Sequence, residues 1–303
     1  MARRFSSVIP LAPWPETDPR REGQQTLLRV ERDWVRIHRF GAPPPGASRA
    51  NPDRLGDGRV TFVLIHGVGL SSQYLVPLAA ELAFHGEVFL LDLPGFGDLP
   101  RPDRALSVAG FGAIVDAALK FHGVLDPILV GHSMGAQVVV EMMAHSDKYR
   151  RGVLIGPPVN AFERTPLMQA WRYIQSAIYE KPNLALLALR SYARTLTGWV
   201  LDIMPLLMSY PIEDRIELIP RESQVLILHG EFDRLAPDDW VAELCRRGPD
   251  TQDRTIAGAA HSTVYNDDDD VAAHILSLLR TDERESDQIA AREAAEALAE
   301  AEK

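Results

Sequence analysis

The chain has 303 residues, 46% hydrophobic and 24% charged, with a formal net charge of −10. That length can bury a sizeable single core, and the proportions are those of an ordinary globular protein. Cys245 is the only cysteine, so an intrachain disulfide is excluded; no apolar run approaches the ~18 residues of a membrane span, and no basic stripe points to nucleic acid.

Residues 1–25 are rich in Pro, Arg and Glu and read as an arm. The arginines at its start are not followed by an apolar stretch, and Pro10, Pro13 and Pro15 interrupt what there is, so a cytoplasmic protein is expected. Thr26 to Phe40 alternates apolar and polar with period two, the pattern of an antiparallel hairpin at a sheet edge. Gly41 to Gly58, with three consecutive prolines at 43–45, reads as a long loop.

From Arg59 short apolar strands alternate with amphipathic helices, which predicts a mostly parallel sheet covered on both faces. The strands are expected at Thr61–Ile65, Glu87–Leu91, Ile128–Val130, Arg151–Ile155, Gln224–Leu228 and Asp253–Ile256. The helices are expected at Ser71–Ala83, Val108–Phe121, Gly135–Ala144, Pro237–Arg246 and Val264–Leu279. Residues 157–222 break the rhythm: Leu-, Met- and aromatic-rich, with helical stretches such as Leu167–Tyr179 and Leu184–Leu196 and no strand. One crossover needs a single helix, so this segment reads as an inserted helical cap between core halves 26–156 and 223–280. The remainder, 281–303, carries eight acidic against three basic side chains and reads as a solvated helix or disordered tail.

The most informative stretch is Gly131-His132-Ser133-Met134-Gly135, a G-x-S-x-G pattern between a strand and a helix. A serine on so tight a turn needs a strained backbone, and hydrogen is the best substituent two residues before and after it. Serine needs a base to take its proton, and the base needs an acid to fix its tautomer. Asp233 follows the strand Gln224–Leu228 at its carboxyl end, where open α/β sheets place ligands and catalytic groups. Glu231 and Asp238 are its nearest rivals. His261 follows the next strand after the small residues Ala257-Gly258-Ala259-Ala260, and it is the histidine downstream of the acid that sits on a loop. His274 falls inside a helical pattern, and His132 is expected to point away from the reacting centre. The loop His66-Gly67-Val68-Gly69, after the strand Thr61–Ile65, offers backbone N–H groups for an oxyanion hole, which assigns Val68 beside Met134, with His66 bracing the loop. No Lys-Ser/Thr follows those glycines, so a phosphate loop is not supported.

His66-Gly67-Val68-Gly69, Asp92-Leu93-Pro94-Gly95-Phe96-Gly97, Gly131-His132-Ser133-Met134-Gly135, Gly230-Glu231-Phe232-Asp233 and His261 together resemble the signature segments of the α/β-hydrolase superfamily. The likeness spans about residues 26–280 and is to its capped, cofactor-independent serine members. It implies an eight-stranded, mostly parallel sheet flanked by helices, with a Ser133–Asp233–His261 triad and an acyl-enzyme. It also implies that Asp92 holds its loop instead of reacting. The expected substrate is a small, largely apolar ester, thioester or related acyl compound. Carbon–carbon hydrolases resemble the chain in size but usually carry asparagine where His132 stands. Acyltransferases and perhydrolases share the triad, and a slowly turning-over small-molecule binding protein is a further alternative. No cofactor, metal or membrane span is expected. The acidic run Asp267–Asp270 reads as a solvated helix start.

Overall fold

Apolar runs buried on both sides form the middle of the molecule. In the computed structural model, which describes residues 5–11, 24–41, 60–179 and 198–278, strands β4 (Val60–Ile65), β6 (Ile128–His132), β7 (Arg151–Ile155) and β8 (Gln224–Gly230) are almost wholly buried. Alternate residues point to opposite faces. Val63 and Ile65 of β4 join one apolar cluster with Phe111, Val138 and Trp240, while Phe62 and Leu64 join another with Leu78 and Ile275.

The sheet has nine strands, in the order β1-β2-β3-β5-β4-β6-β7-β8-β9. The remaining strands are β1 (Phe5–Leu11), β2 (Gln24–Val30), β3 (Asp33–Phe40), β5 (Gly86–Asp92) and β9 (Asp250–Ile256). Pairing is antiparallel from β1 through β3 to β5 and parallel from β5 to β9. This is the α/β-hydrolase arrangement, with one strand more than the eight expected. The extra strand is β1, inside the segment read as an arm. It satisfies the open backbone edge of β2, and an edge strand is where a proline such as Pro10 is tolerated.

Helices α1 (Val76–Leu82), α2 (Val108–His122), α3 (Met134–Ala144) and α7 (Asp238–Arg247) cover the sheet close to where the sequence pattern puts them. The Ser107 side chain caps α2 by accepting the Gly110 N–H at 3.1 Å, and Gly123 ends it with a left-handed φ of 65°. The helix expected over Val264–Leu279 is divided into α8 (Thr263–Asn266) and a helix, α9, over residues 268–278.

Between β7 and β8 the described residues hold α4 (Pro166–Ala177), α5 (Trp199–Met208) and α6 (Ile212–Ile216), and no strand. The expected stretch Leu184–Leu196 and the tail 281–303 lie outside the described residues. α5 and α6 belong to the main core: Trp199, Ile203, Leu207, Ile212 and Ile216 share the cluster with Phe111 and Trp240. α4 does not; Leu167, Trp171, Ile174 and Ile178 stand exposed along one side of it. Among the described residues no helix is long and apolar enough to cross a membrane.

β5 lies on one side of β4 and β6 on the other. The chain therefore leaves the carboxyl ends of β4 and β6 in diverging directions, and the crevice between those loops is where this class of sheet binds ligands.

Candidate active site

Ser133 sits in that crevice, between β6 and α3, with φ 54° and ψ −120°. Few residues with a side chain adopt such a conformation, and it costs about 1–3 kcal/mol. Its neighbours explain how it is enforced. A Cβ on Gly131 would come within 2.2 Å of the Gly135 carbonyl oxygen, and one on Gly135 within 2.2 Å of the Ile65 carbonyl oxygen. The glycines thus serve two contacts: the turn against itself, and the turn against the end of β4. The Ser133 N–H donates to the Ile155 carbonyl at 2.8 Å, tying the elbow to β7 as well.

Asp233 and His261 come together from the loops after β8 and β9. His261 Nδ1 lies 2.9 Å from Asp233 Oδ2, and both residues are buried. The other carboxylate oxygen accepts the Leu235 N–H at 2.9 Å and the Ala236 N–H at 3.3 Å. Burial alone would raise the Asp233 pKa; the neighbouring His261 and these N–H groups outweigh it and hold the carboxyl below its ordinary value. Gly230 at the end of β8 lets the loop before His261 lie close, since a Cβ on it would strike the Ala260 carbonyl oxygen at 2.2 Å. The rivals lie elsewhere. Glu231 accepts the Gly258 N–H at 2.8 Å on the surface, and the Asp238 side chain is 91% exposed.

The loop after β4 closes over the elbow: a Cβ on Gly67 would lie 3.0 Å from the Ser133 Cβ. Met134 opens α3, so its N–H has no carbonyl one turn back to bond within the helix. Val68 is partly buried beside the main core. His66 is fully buried; its Nε2 accepts the Leu93 N–H at 3.0 Å and its Nδ1–H donates to the Gly67 carbonyl at 2.7 Å, so it braces the loop. Asp92 takes the Ser72 N–H at 2.7 Å and His38 Nε2 at 3.2 Å. Burial opposes its charge, but His38, with His66 and Ser72, brings its pKa down to about 2. Cys245 is half-buried, its thiol pushed up to about 12 by burial and by Asp253.

Several residues at the site carry no sequence signal of their own. Gly156, just past β7 with φ 54°, leaves the space that the Asp233 carboxylate and His261 ring occupy; a Cβ there would lie 3.0 Å from each. Tyr173 of α4 stands edge-on to the His261 ring at 6.2 Å between centroids. Tyr74 accepts the Gly67 N–H and pairs with His132. Glycine and tyrosine are too common to single out, and these contacts join residues far apart in the chain. The acidic run at 267–270 brings Asp268 and Asp269 near Glu81 at the surface, with no histidine or cysteine in the group.

The family model described as "Alpha/beta hydrolase family" matches residues 62–274. The chain belongs to the alpha/beta hydrolase family. It is a hydrolase. Curated proteins to which it is similar include the AB hydrolase superfamily protein YisY of Bacillus subtilis, 26% identical over 241 residues, which are 70% of this chain and 88% of that one. They also include the pimeloyl-[acyl-carrier protein] methyl ester esterase of Citrobacter koseri, 26% identical over 237 residues, 68% of this chain and 89% of that one. Among solved structures, a thermophilic esterase from Thermogutta terrifontis superposes with a TM-score of 0.66 at 16% identity, covering 91% of this chain and 99% of that one.

Proposed function

We propose that this alpha/beta hydrolase cleaves a carboxylester-like bond of a small, largely apolar substrate through an acyl-enzyme on Ser133. The observation that carries the reading is the buried 2.9 Å pairing of His261 with Asp233, beside a serine held on a strained elbow. A carboxylate accepts and does not donate, so the His261 proton sits on Nδ1 and Nε2 is the basic nitrogen. His261 Nε2 takes the Ser133 proton as Oγ attacks the carbonyl carbon, and the Asp233 charge stabilises the imidazolium that results. The Val68 and Met134 N–H groups take the oxyanion of the tetrahedral intermediate. His261 then gives its proton to the leaving oxygen; water repeats the sequence and frees the acid.

The ester-cleaving relatives support the bond class, and the Leu-, Met- and aromatic-rich composition of residues 157–222 supports an apolar acyl group. Within residues 157–222 we assign the role of a cap to α4, with Tyr173 its point of contact with the base.

Ser133→Ala tests the reading. Hydrolysis of p-nitrophenyl butyrate is expected to fall on the order of 10⁴- to 10⁶-fold, and fluorophosphonate labelling to vanish. A variant that still hydrolyses at the wild-type rate overturns it. A protein that labels once and never turns over is a binding protein, not an esterase.

A further inference from the structure

A chain of buried hydrogen bonds joins the loop after β4 to the loop after β9, and it runs through the residue just before Ser133. His132 Nε2 lies 2.9 Å from the His261 carbonyl oxygen, and His132 Nδ1 lies 2.7 Å from the Tyr74 hydroxyl. That hydroxyl accepts the Gly67 N–H at 2.8 Å. Tyr74 and His132 are 1% and 2% exposed, so water does not compete for these bonds.

The direction of each proton follows from chemistry. A carbonyl only accepts, so His132 carries its proton on Nε2. Burial, with the neighbouring His261, takes the His132 pKa down to about 3, so the ring is neutral and Nδ1 is bare. Tyr74 must then donate to His132, which leaves its lone pairs for Gly67. Burial keeps the Tyr74 hydroxyl protonated by raising its pKa far above the usual value.

Gly67 is gripped at both ends. Tyr74 holds its N–H, and the His66 Nδ1–H holds its carbonyl. Across a trans peptide the Gly67 carbonyl and the Val68 N–H point in opposite directions, so fixing one aims the other. At the far end, His132 holds the backbone of His261, and the two rings lie 4.9 Å apart.

We propose that Tyr74 and His132 are positioning residues that keep the Val68 N–H and the His261 ring in register on either side of Ser133. This rests on the acyl-enzyme reading above. Neither side chain touches the substrate. Together they make the oxyanion donor and the base one rigid unit, so displacement of either loop would be felt by both.

Tyr74→Phe keeps the ring and removes the one oxygen. The expected result is a fall in kcat of about 10- to 100-fold on p-nitrophenyl butyrate with KM nearly unchanged. A trifluoromethyl ketone, which adds to Ser133 as a hemiketal oxyanion, should lose affinity by a matching factor. A residue that only packed the fold would lower the melting temperature without that match. In the wild-type protein the ¹⁵N shifts of His132 should report a protonated Nε2 and a bare Nδ1 down to about pH 5, well below the ordinary imidazole range. Unchanged kcat and ketone affinity in Tyr74→Phe, or a His132 protonated at Nδ1, overturns the bridge. Ser133→Ala, run in parallel, separates the two claims: turnover that survives it overturns the nucleophile and the bridge together, whereas its loss beside a silent Tyr74→Phe overturns the bridge alone.

Discussion

The elbow and α4 meet the same histidine and are built in opposite ways. At the elbow the glycines abut backbone, and α3 is buried without a break from Met134 to Met143. α4 turns its polar side inward. Gln169 bonds the Val159 N–H at 3.2 Å and the Glu163 carbonyl at 3.1 Å, and Ser176 accepts the Arg234 N–H at 2.8 Å. Its outward side shows Leu167 at 83% exposure and Ile178 at 77%. The first region is held by packing that leaves no alternative, the second by a handful of hydrogen bonds. Regions with few buried apolar contacts open at lower free energy than a core does. The proposed reacting groups are thus fixed by the fold, while α4 is held by fewer buried contacts.

That contrast can be broken by substitution. The largest effect belongs to Gly135→Ala, whose new Cβ would stand 2.2 Å from the Ile65 carbonyl. Urea unfolding should show a loss of about 3 kcal/mol or more, with activity lost as well. Wild-type stability in Gly135→Ala would mean the elbow is as tolerant as α4. Next comes Asp92, which anchors the loops after β4 and β5. Its pKa is lowered from 3.8 to about 2, so its contribution is present in full above about pH 4 and is lost as pH falls through 2. Linkage makes that contribution on the order of 2 kcal/mol. Asp92→Asn should flatten the fall in stability between pH 4 and 2; an unchanged slope would place the acid sensitivity elsewhere.

Smaller effects are expected from α4. Tyr173→Ala should change the preference between acetyl and octanoyl esters by roughly tenfold in relative kcat/KM. If its effect falls instead on kcat equally for every ester, Tyr173 serves the base and not the substrate. Trp171→Ala, on the exposed side, should alter unfolding free energy by less than about 0.5 kcal/mol. A larger loss would show that the outer side of α4 is covered in solution.

Most of the sheet was legible in the sequence because parallel strands buried on both faces leave short apolar runs, such as Ile128–Val130, that turn signals bound. The pairing of Asp233 with His261 was legible through the order of motifs after Ser133. β1 was not, because four prolines in residues 1–25 outweigh any strand pattern there. Nor was the division of the 157–222 segment: the leucines and aromatics of α5 read like those of α4, yet Trp199 lies against Phe96 with ring centroids 6.5 Å apart, while Trp171 faces outward. Only tertiary packing decides between them. Tyr74 and His132 are 58 positions apart, and His132 and His261 are 129 apart, so no local period announces the bridge they form.

The backbone of Ser133 has one more consequence. At φ 54° and ψ −120° the position is one where the fold, judged by durability alone, would be better served by glycine. On the acyl-enzyme reading, selection for thermal endurance with no check on turnover would favour a tougher protein without its nucleophile. The hydroxyl persists there only against the preference of the scaffold that carries it.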